Sequence, residues 1–190
     1  MDPYDAIILA GGRGSRLGGV DKPGLLVGER PLITRVTTAV ADARLVVVAG
    51  PWRPGLPGAE FVQEDPPGAG PVPALRAALP LVAAEWVALL AADLPYLTAG
   101  HVTQARRAAA AADGAVPVDA GGRAQWLAGV WRTTPLRTAL AAYSGSSLGG
   151  LLGDLEQVRL RPAALDGEPV PWRDCDTPAD LADARRWAAR

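Results

Sequence analysis

The chain has 190 residues, 49% hydrophobic, and a net charge of −1, so it holds enough apolar material for one packed domain and has no general pull toward nucleic acid or an anionic membrane. One cysteine, Cys175, rules out an intrachain disulfide, and with a single histidine, His101, it argues against a zinc centre. The opening MDPYDAIILAGG lacks the basic and long apolar regions of a secretion signal, and no stretch reaches the roughly 20 apolar residues of a membrane span, so a cytoplasmic protein is expected.

DAIILA (5–10) is a short apolar run ending in Gly-Gly, which predicts a strand buried on both faces and feeding a loop. Residues 31–42 place Leu32, Val36 and Val40 on one helical face, with Pro31 suited to the first turn. RLVVVAG (44–50) predicts a second strand and AEFVQED (59–65) a short third. A helix is predicted over 71–82, broken or kinked at Pro80. EWVALLAAD (85–93) is a fourth strand that runs into Asp93. A helix over 98–113 starts at a Thr98 cap; strands follow at 114–118 and 125–131, then helical stretches at 134–143 and 146–155, the second weakened by glycines. The last helix, 177–189, carries Thr177 at the N-cap, Pro178 at its first position and Asp180 two residues on. This alternation predicts one α/β domain over residues 1–190, three-layered α/β/α, with a mostly parallel, Rossmann-like sheet. In such sheets ligands sit at the carboxyl ends of the strands.

The first of those ends carries the densest signal. Gly11, Gly12, Gly14, Gly18 and Gly19 alternate with Arg13, Arg16 and Lys22, against one acid, Asp21. Glycines let backbone N–H groups approach an anion, and the cations supply counter-charge. The spacing fits neither the dinucleotide fingerprint nor the P-loop. A surface turn with solvated arginines is the competing reading, but a loop this long in a compact domain is uncommon without a function. Of 19 Lys and Arg residues, Lys22 is the one lysine. An ammonium is a compact point charge suited to a single phosphate oxygen, whereas a guanidinium prefers flat bidentate contacts.

Three acids stand out. Asp93, at the end of a strand facing the loop, is well placed for Mg²⁺, although a carboxylate capping a turn would look the same. Asp174 and Asp176 flank Cys175; in extended chain they share a face, where like charges favour a cation between them unless both are solvated. Cys175 would then be packed and inert.

The segment LAGGRGSRLGGVDKPGLL (9–26) closely resembles the opening motif of the molybdenum cofactor guanylyltransferases, members of the nucleotidyltransferase superfamily. EDPPGAGPVPAL, AADLPYL, GRAQWLAGVWRTTPL and DCDTPADL resemble that family's later motifs in the expected order, over nearly the whole chain. The resemblance implies transfer of GMP from GTP to the phosphate of molybdopterin with release of pyrophosphate. It implies nucleotide contacts at Leu9, Ala10, Gly11, Gly12, Lys22, Asp65 and Asp93. Arg16, Lys22 and Asp93 would be catalytic, with Mg²⁺ on Asp93 and one of Asp174 and Asp176. The family's matching Asp contacts the guanine base, a role for Asp65 here or for its neighbour Glu64. The acceptor would lie near Arg123 and Gln125, and molybdoenzymes or other proteins of cofactor synthesis are possible partners.

Two departures bear on the base. The family's Asn after the second strand is missing; the chain reads VVVAGPWRPG there and has no asparagine at all. Ala74 stands where the family has Gly. A cytidylyltransferase of the same cofactor, another small-molecule nucleotidyltransferase, and a binding module without catalysis are the alternative readings.

Overall fold

A computed structural model describes residues 2–11, 20–161 and 169–189. Its main sheet has seven strands in the order β5-β4-β1-β6-β8-β7-β9. They are β1 (Tyr4–Leu9), β4 (Val46–Ala49), β5 (Ala59–Val62), β6 (Trp86–Ala91), β7 (Gly114–Pro117), β8 (Ala128–Arg132) and β9 (Gln157–Leu160). A two-stranded hairpin, β2 (Leu26–Val27) and β3 (Arg30–Pro31), stands apart. The helices are α1 (Leu32–Ala39), α2 (Pro71–Ala78), α3 (Ala99–Ala109), α4 (Thr133–Ala142), α5 (Leu148–Leu152) and α6 (Pro178–Ala188).

β1 is central and every residue in it is buried, which is why it reads as a continuous apolar run. Its side chains alternate between two layers. Tyr4, Ala6 and Ile8 pack with Ile33 and Val36 of α1 and with Val102 and Ala105 of α3. Ile7 and Leu9 face Val72 and Leu75 of α2 and Leu136 and Leu140 of α4. Burying each Ile here stabilises the fold by about 1.5–3 kcal/mol. The polar exception, Asp5, is fully buried at the edge away from the glycine loop. Arg44 grips both its oxygens (3.0 and 2.8 Å), and Oδ2 also accepts the N–H groups of Ala83 and Ala84.

The three-layer architecture and the parallel core β5-β4-β1-β6 match expectation. Several details differ. β8 runs antiparallel to both β6 and β7. β9 and the hairpin were not anticipated, and Pro31 precedes α1 as its N-cap instead of entering the first turn. Asp93 lies two residues beyond β6. Asp174 and Asp176 lie in the segment leading to α6, not behind a strand. Pro80 does end its helix, passing into a single 3₁₀ turn. Both anticipated caps form: Thr177 with Asp180, and Thr98 with His101, whose imidazole completes the capping box. Trp52, in the loop after β4, is 72% exposed. Among the described residues no helix is long and apolar enough to cross a membrane.

Candidate active site

Lys22 opens a 3₁₀ turn, Lys22–Gly24, beyond the glycine loop. Its Nζ lies between two carboxylates, donating to Asp93 Oδ2 and Asp176 Oδ1. These groups come from separate parts of the chain. Asp93 follows β6, beside β1 in the sheet, and the Ala92 N–H donates to the Leu9 carbonyl at 3.1 Å. Asp176 is held by the segment before α6, where Cys175 is fully buried against Leu32, Tyr96 and Leu181. With Cys175 anchored inward, its neighbours face outward as the alternation required.

The charges compensate unevenly. Burial disfavours the Lys22 ammonium, but Asp93 and Asp176 outweigh it and raise its pKa above the ordinary lysine value. The Asp174 carboxyl is pushed up, first by burial and then by repulsion from Asp176 and Asp93. Asp174 is an exposed residue overall, so this is an acid crowded on one side. Burial raises the Cys175 thiol to about 11, which leaves it inert near neutral pH, as expected. Asp93 Oδ1 is buried and has no hydrogen-bond partner.

That orphaned oxygen bears on a metal. Among the described residues no group of three or more His, Cys, Asp or Glu side chains is arranged to hold one. Magnesium, however, is commonly held by one or two carboxylates together with substrate phosphates. A buried carboxylate oxygen without a donor, close to two further carboxylates, suits a hard cation of this kind. Arg16 and Gly12 lie outside the described residues.

The opposite side of β1 forms a second part of the site. Ala10 is buried, and Gly50, after β4, passes so close that a Cβ there would lie 2.9 Å from the Ala10 carbonyl carbon. Arg53, from the loop after β4, pairs with Asp21 next to Lys22, an ion pair that no local pattern in the sequence signalled. Of the two acids after β5, Asp65 is exposed, whereas Glu64 is 6% exposed. Glu64 Oε1 accepts the Gly68 N–H at 2.8 Å and lies 3.5 Å from the position of a Cβ on Gly11; its Oε2 is buried and unpartnered.

The acceptor candidates lie in a turn before β8. Asp119 Oδ1 accepts the N–H groups of Gly121 and Arg123 at 2.9 Å, and Gln125 Nε2 reaches Asp119 Oδ2 at 3.3 Å. Arg123 is exposed. The turn leads to Leu127, whose carbonyl accepts the Ala91 N–H, so it approaches the same edge of the sheet as Asp93. Trp126 stacks on the buried Trp131 beside it, with centroids 6.2 Å apart.

Comparison with known proteins agrees with this geometry. Residues 6–159 match the model of the MobA-like NTP transferase domain. A molybdenum cofactor guanylyltransferase from Bradyrhizobium sp. (strain ORS 278) is 32% identical over 96% of this chain and 92% of its own length. A "Probable molybdenum cofactor guanylyltransferase" from Deinococcus radiodurans is 39% identical, but the match spans about half of each protein, 53% of this chain and 52% of the relative. The crystal structure of molybdopterin-guanine dinucleotide biosynthesis protein A from Archaeoglobus fulgidus superposes with a TM-score of 0.76 at 19% identity, covering 97% of this chain and 98% of that one, which establishes a shared fold. The family match over residues 6–159, on a mostly parallel sheet with Lys22 held between Asp93 and Asp176 at its carboxyl edge, shows that this chain belongs to the MobA-like NTP transferases.

Proposed function

We propose that this protein is a molybdenum cofactor guanylyltransferase that transfers GMP from GTP to the terminal phosphate of molybdopterin and releases pyrophosphate. The observation that carries the reading is the Lys22 ammonium held between Asp93 and Asp176 at the edge where the glycine loop ends. The likeness to guanylyltransferases over nearly the full chain supports it.

In the reaction a phosphate oxygen of molybdopterin bonds to the α-phosphorus of GTP, the bond from that phosphorus to the bridging oxygen of the β-phosphate breaks, and pyrophosphate leaves. The attacking oxygen is already ionised near neutral pH, so the site needs no general base, and catalysis reduces to positioning and charge neutralisation. Lys22 contacts an oxygen of the reacting α-phosphate, exchanging a carboxylate partner for the substrate. Leu9, Ala10 and Gly11 offer backbone close to the nucleotide. Asp93, with Asp174 or Asp176, would hold Mg²⁺, which supplies Lewis-acid neutralisation of the transferring phosphates. The turn carrying Arg123 and Gln125 borders the acceptor.

The test is product analysis. The protein is incubated with molybdopterin, Mg²⁺ and either GTP or CTP. Formation of the guanine dinucleotide with equimolar pyrophosphate is expected. Formation of the cytosine dinucleotide instead, or no nucleotidyl transfer from either triphosphate, refutes the proposal.

A further inference from the structure

Resting on the guanylyl-transfer reading, we infer that Arg53 is a second phosphate-binding cation, which grips the leaving β- and γ-phosphates of the nucleotide beside Lys22. Arg53 belongs to the loop after β4, and its side chain is only 13% exposed. Its Nη1 donates to Oδ2 of Asp21, the residue before Lys22. Its Nε is buried and has no acceptor. A guanidinium cannot shed its charge, and a buried donor left unpaired on it is unfavourable. The arrangement is completed by an acceptor that arrives with the substrate.

The pairing with Asp21 leaves the useful edge open. With Nη1 taken, the side-on fork of Nε and Nη2 is the edge that can grip an oxyanion with two parallel bonds. The same edge of Arg44 shows what it accepts: its Nε and Nη2 hold both oxygens of Asp5, at 3.0 and 2.8 Å. Asp21 is 55% exposed, so it braces the guanidinium from one side and leaves much of its charge for another partner. The turn is shaped for this brace. A Cβ on Gly24 would lie 2.5 Å from Asp21 Oδ2, so the glycine lets the carboxylate fold back over the turn toward Arg53.

The position suits a triphosphate. β4 lies beside β1 in parallel, and the Ala10 N–H donates to the Ala49 carbonyl at 2.8 Å where the two strands end. Arg53 reaches the Lys22 turn from the β4 side, across the end of β1, while Asp93 reaches it from the β6 side. The two cations divide the work by their chemistry. The Lys22 ammonium is a point charge for one oxygen of the reacting α-phosphate. The flat fork of Arg53 spans two oxygens and matches the leaving phosphates, where charge accumulates as the bond to the α-phosphorus breaks. Arg53 stays charged throughout, so it neutralises pyrophosphate without giving it a proton.

The assay is calorimetric titration of the full chain with GTP, GMP and inorganic pyrophosphate, all with Mg²⁺, in the wild type, Arg53→Lys and Arg53→Gln. Arg53→Lys keeps a charge near Asp21 but loses the fork, and is expected to weaken GTP and pyrophosphate about tenfold; Arg53→Gln should weaken them about 100-fold. GMP has no β- or γ-phosphate and should bind both variants as it binds the wild type. Unchanged affinity for GTP and pyrophosphate overturns the inference. So does an equal loss for GMP, which a mere brace on the Lys22 turn or a contact with the base would produce. A wild type that binds CTP in place of GTP overturns the guanylyl reading alone, and the same comparison with CTP and CMP then decides the role of Arg53. Should both variants fail to fold, a crystal structure of the wild type with a non-hydrolysable GTP analogue decides: Arg53 Nε and Nη2 about 3 Å from β- or γ-phosphate oxygens are expected, and an Arg53 that contacts only Asp21 overturns the inference.

Discussion

Lys22→Met removes the ammonium and keeps the apolar stem. In the native protein the Lys22 and Asp93 side chains are each 16% exposed, while Asp176 is 36% exposed. Without Lys22, Asp93 is left with both oxygens unpaired and little water to replace the lost partner, whereas Asp176 can turn toward solvent. Breaking a buried pair costs about 3–5 kcal/mol, and the partly exposed Asp176 adds at most about 1. Because the Asp93 pocket is not fully closed, the lower end, about 3 kcal/mol, is expected. For a domain of this size that lowers Tm by roughly 6–12 °C. Magnesium should restore part of the loss, since the vacated position is then open to another cation. Turnover should fall about 10²- to 10³-fold, as when one preorganised charge-stabilising donor is lost. Lys22→Arg separates the two roles: it restores most of the Tm but little of the turnover, because a planar guanidinium does not occupy a point-charge position. Thermal unfolding with and without Mg²⁺, together with pyrophosphate release, provides the readout. A Lys22→Met protein with a Tm within about 2 °C of wild type and with full turnover would refute the reasoning.

Asp5→Ala should destabilise by about 2–4 kcal/mol, because the N–H groups of Ala83 and Ala84 lose their shared acceptor; chemical denaturation measures it. Burial opposes ionisation of Asp5, but Arg44 and the two N–H groups hold its carboxyl below the usual range. Its stabilisation is therefore complete above pH about 3.9 and is lost as pH falls through the lower folded value, and an acid titration of Asp5→Ala should lack this component. Lys22 has the opposite sense: its raised pKa gives stability that is full below the unfolded value, about 10.4, and is lost as pH climbs through the folded value. Asp174, with a raised pKa, opposes folding while ionised, so Asp174→Asn should raise Tm at pH 7 and lose that advantage near pH 4. Two glycines should separate folding from binding. Gly50→Ala places a Cβ 2.9 Å from Ala10 backbone at a φ of 155° and should cost about 1–3 kcal/mol in denaturant melts. Gly11→Ala meets nothing closer than 3.5 Å, so it should melt like wild type yet bind nucleotide weakly in titration.

Much of the architecture was legible because fully buried strands and capped helices leave strong local marks. The runs at 5–10, 44–50 and 85–93 each produced a strand, and Thr177-Pro178 with Asp180 fixed the start of α6. β9 escaped because Gln157–Leu160 is half exposed and mixes polar with apolar residues, so its strand character comes from pairing with β7. The reversal of β8 escaped because strand direction depends on where a connection crosses, which periodicity does not encode. In the site, Lys22, Asp93 and the acidic pair could be singled out by residue type and position, but not that Lys22 would stand between Asp93 and Asp176. Glu64 and Asp65 are adjacent acids of equal chemistry; burial alone distinguishes them, and burial depends on neighbours distant in sequence, such as Gly11, where a Cβ would lie 3.5 Å from Glu64 Oε1.

The C-terminal segment does more than supply Asp176. Arg185 of α6 donates to the Leu26 carbonyl at 3.0 Å, and Val27 and Leu32 pack with Leu181 and Ala184. The turn bearing Lys22 is thus braced by residues made some 150 positions later, 154 in the case of its partner Asp176. A nascent chain emerging from the ribosome can assemble β1, β4 and β6 early, yet Lys22 keeps only one of its acids until residues 169–189 have been made and docked. The site is therefore completed only once residues 169–189 have docked, and a chain that stops short of them has the parallel strands without a finished site at their edge.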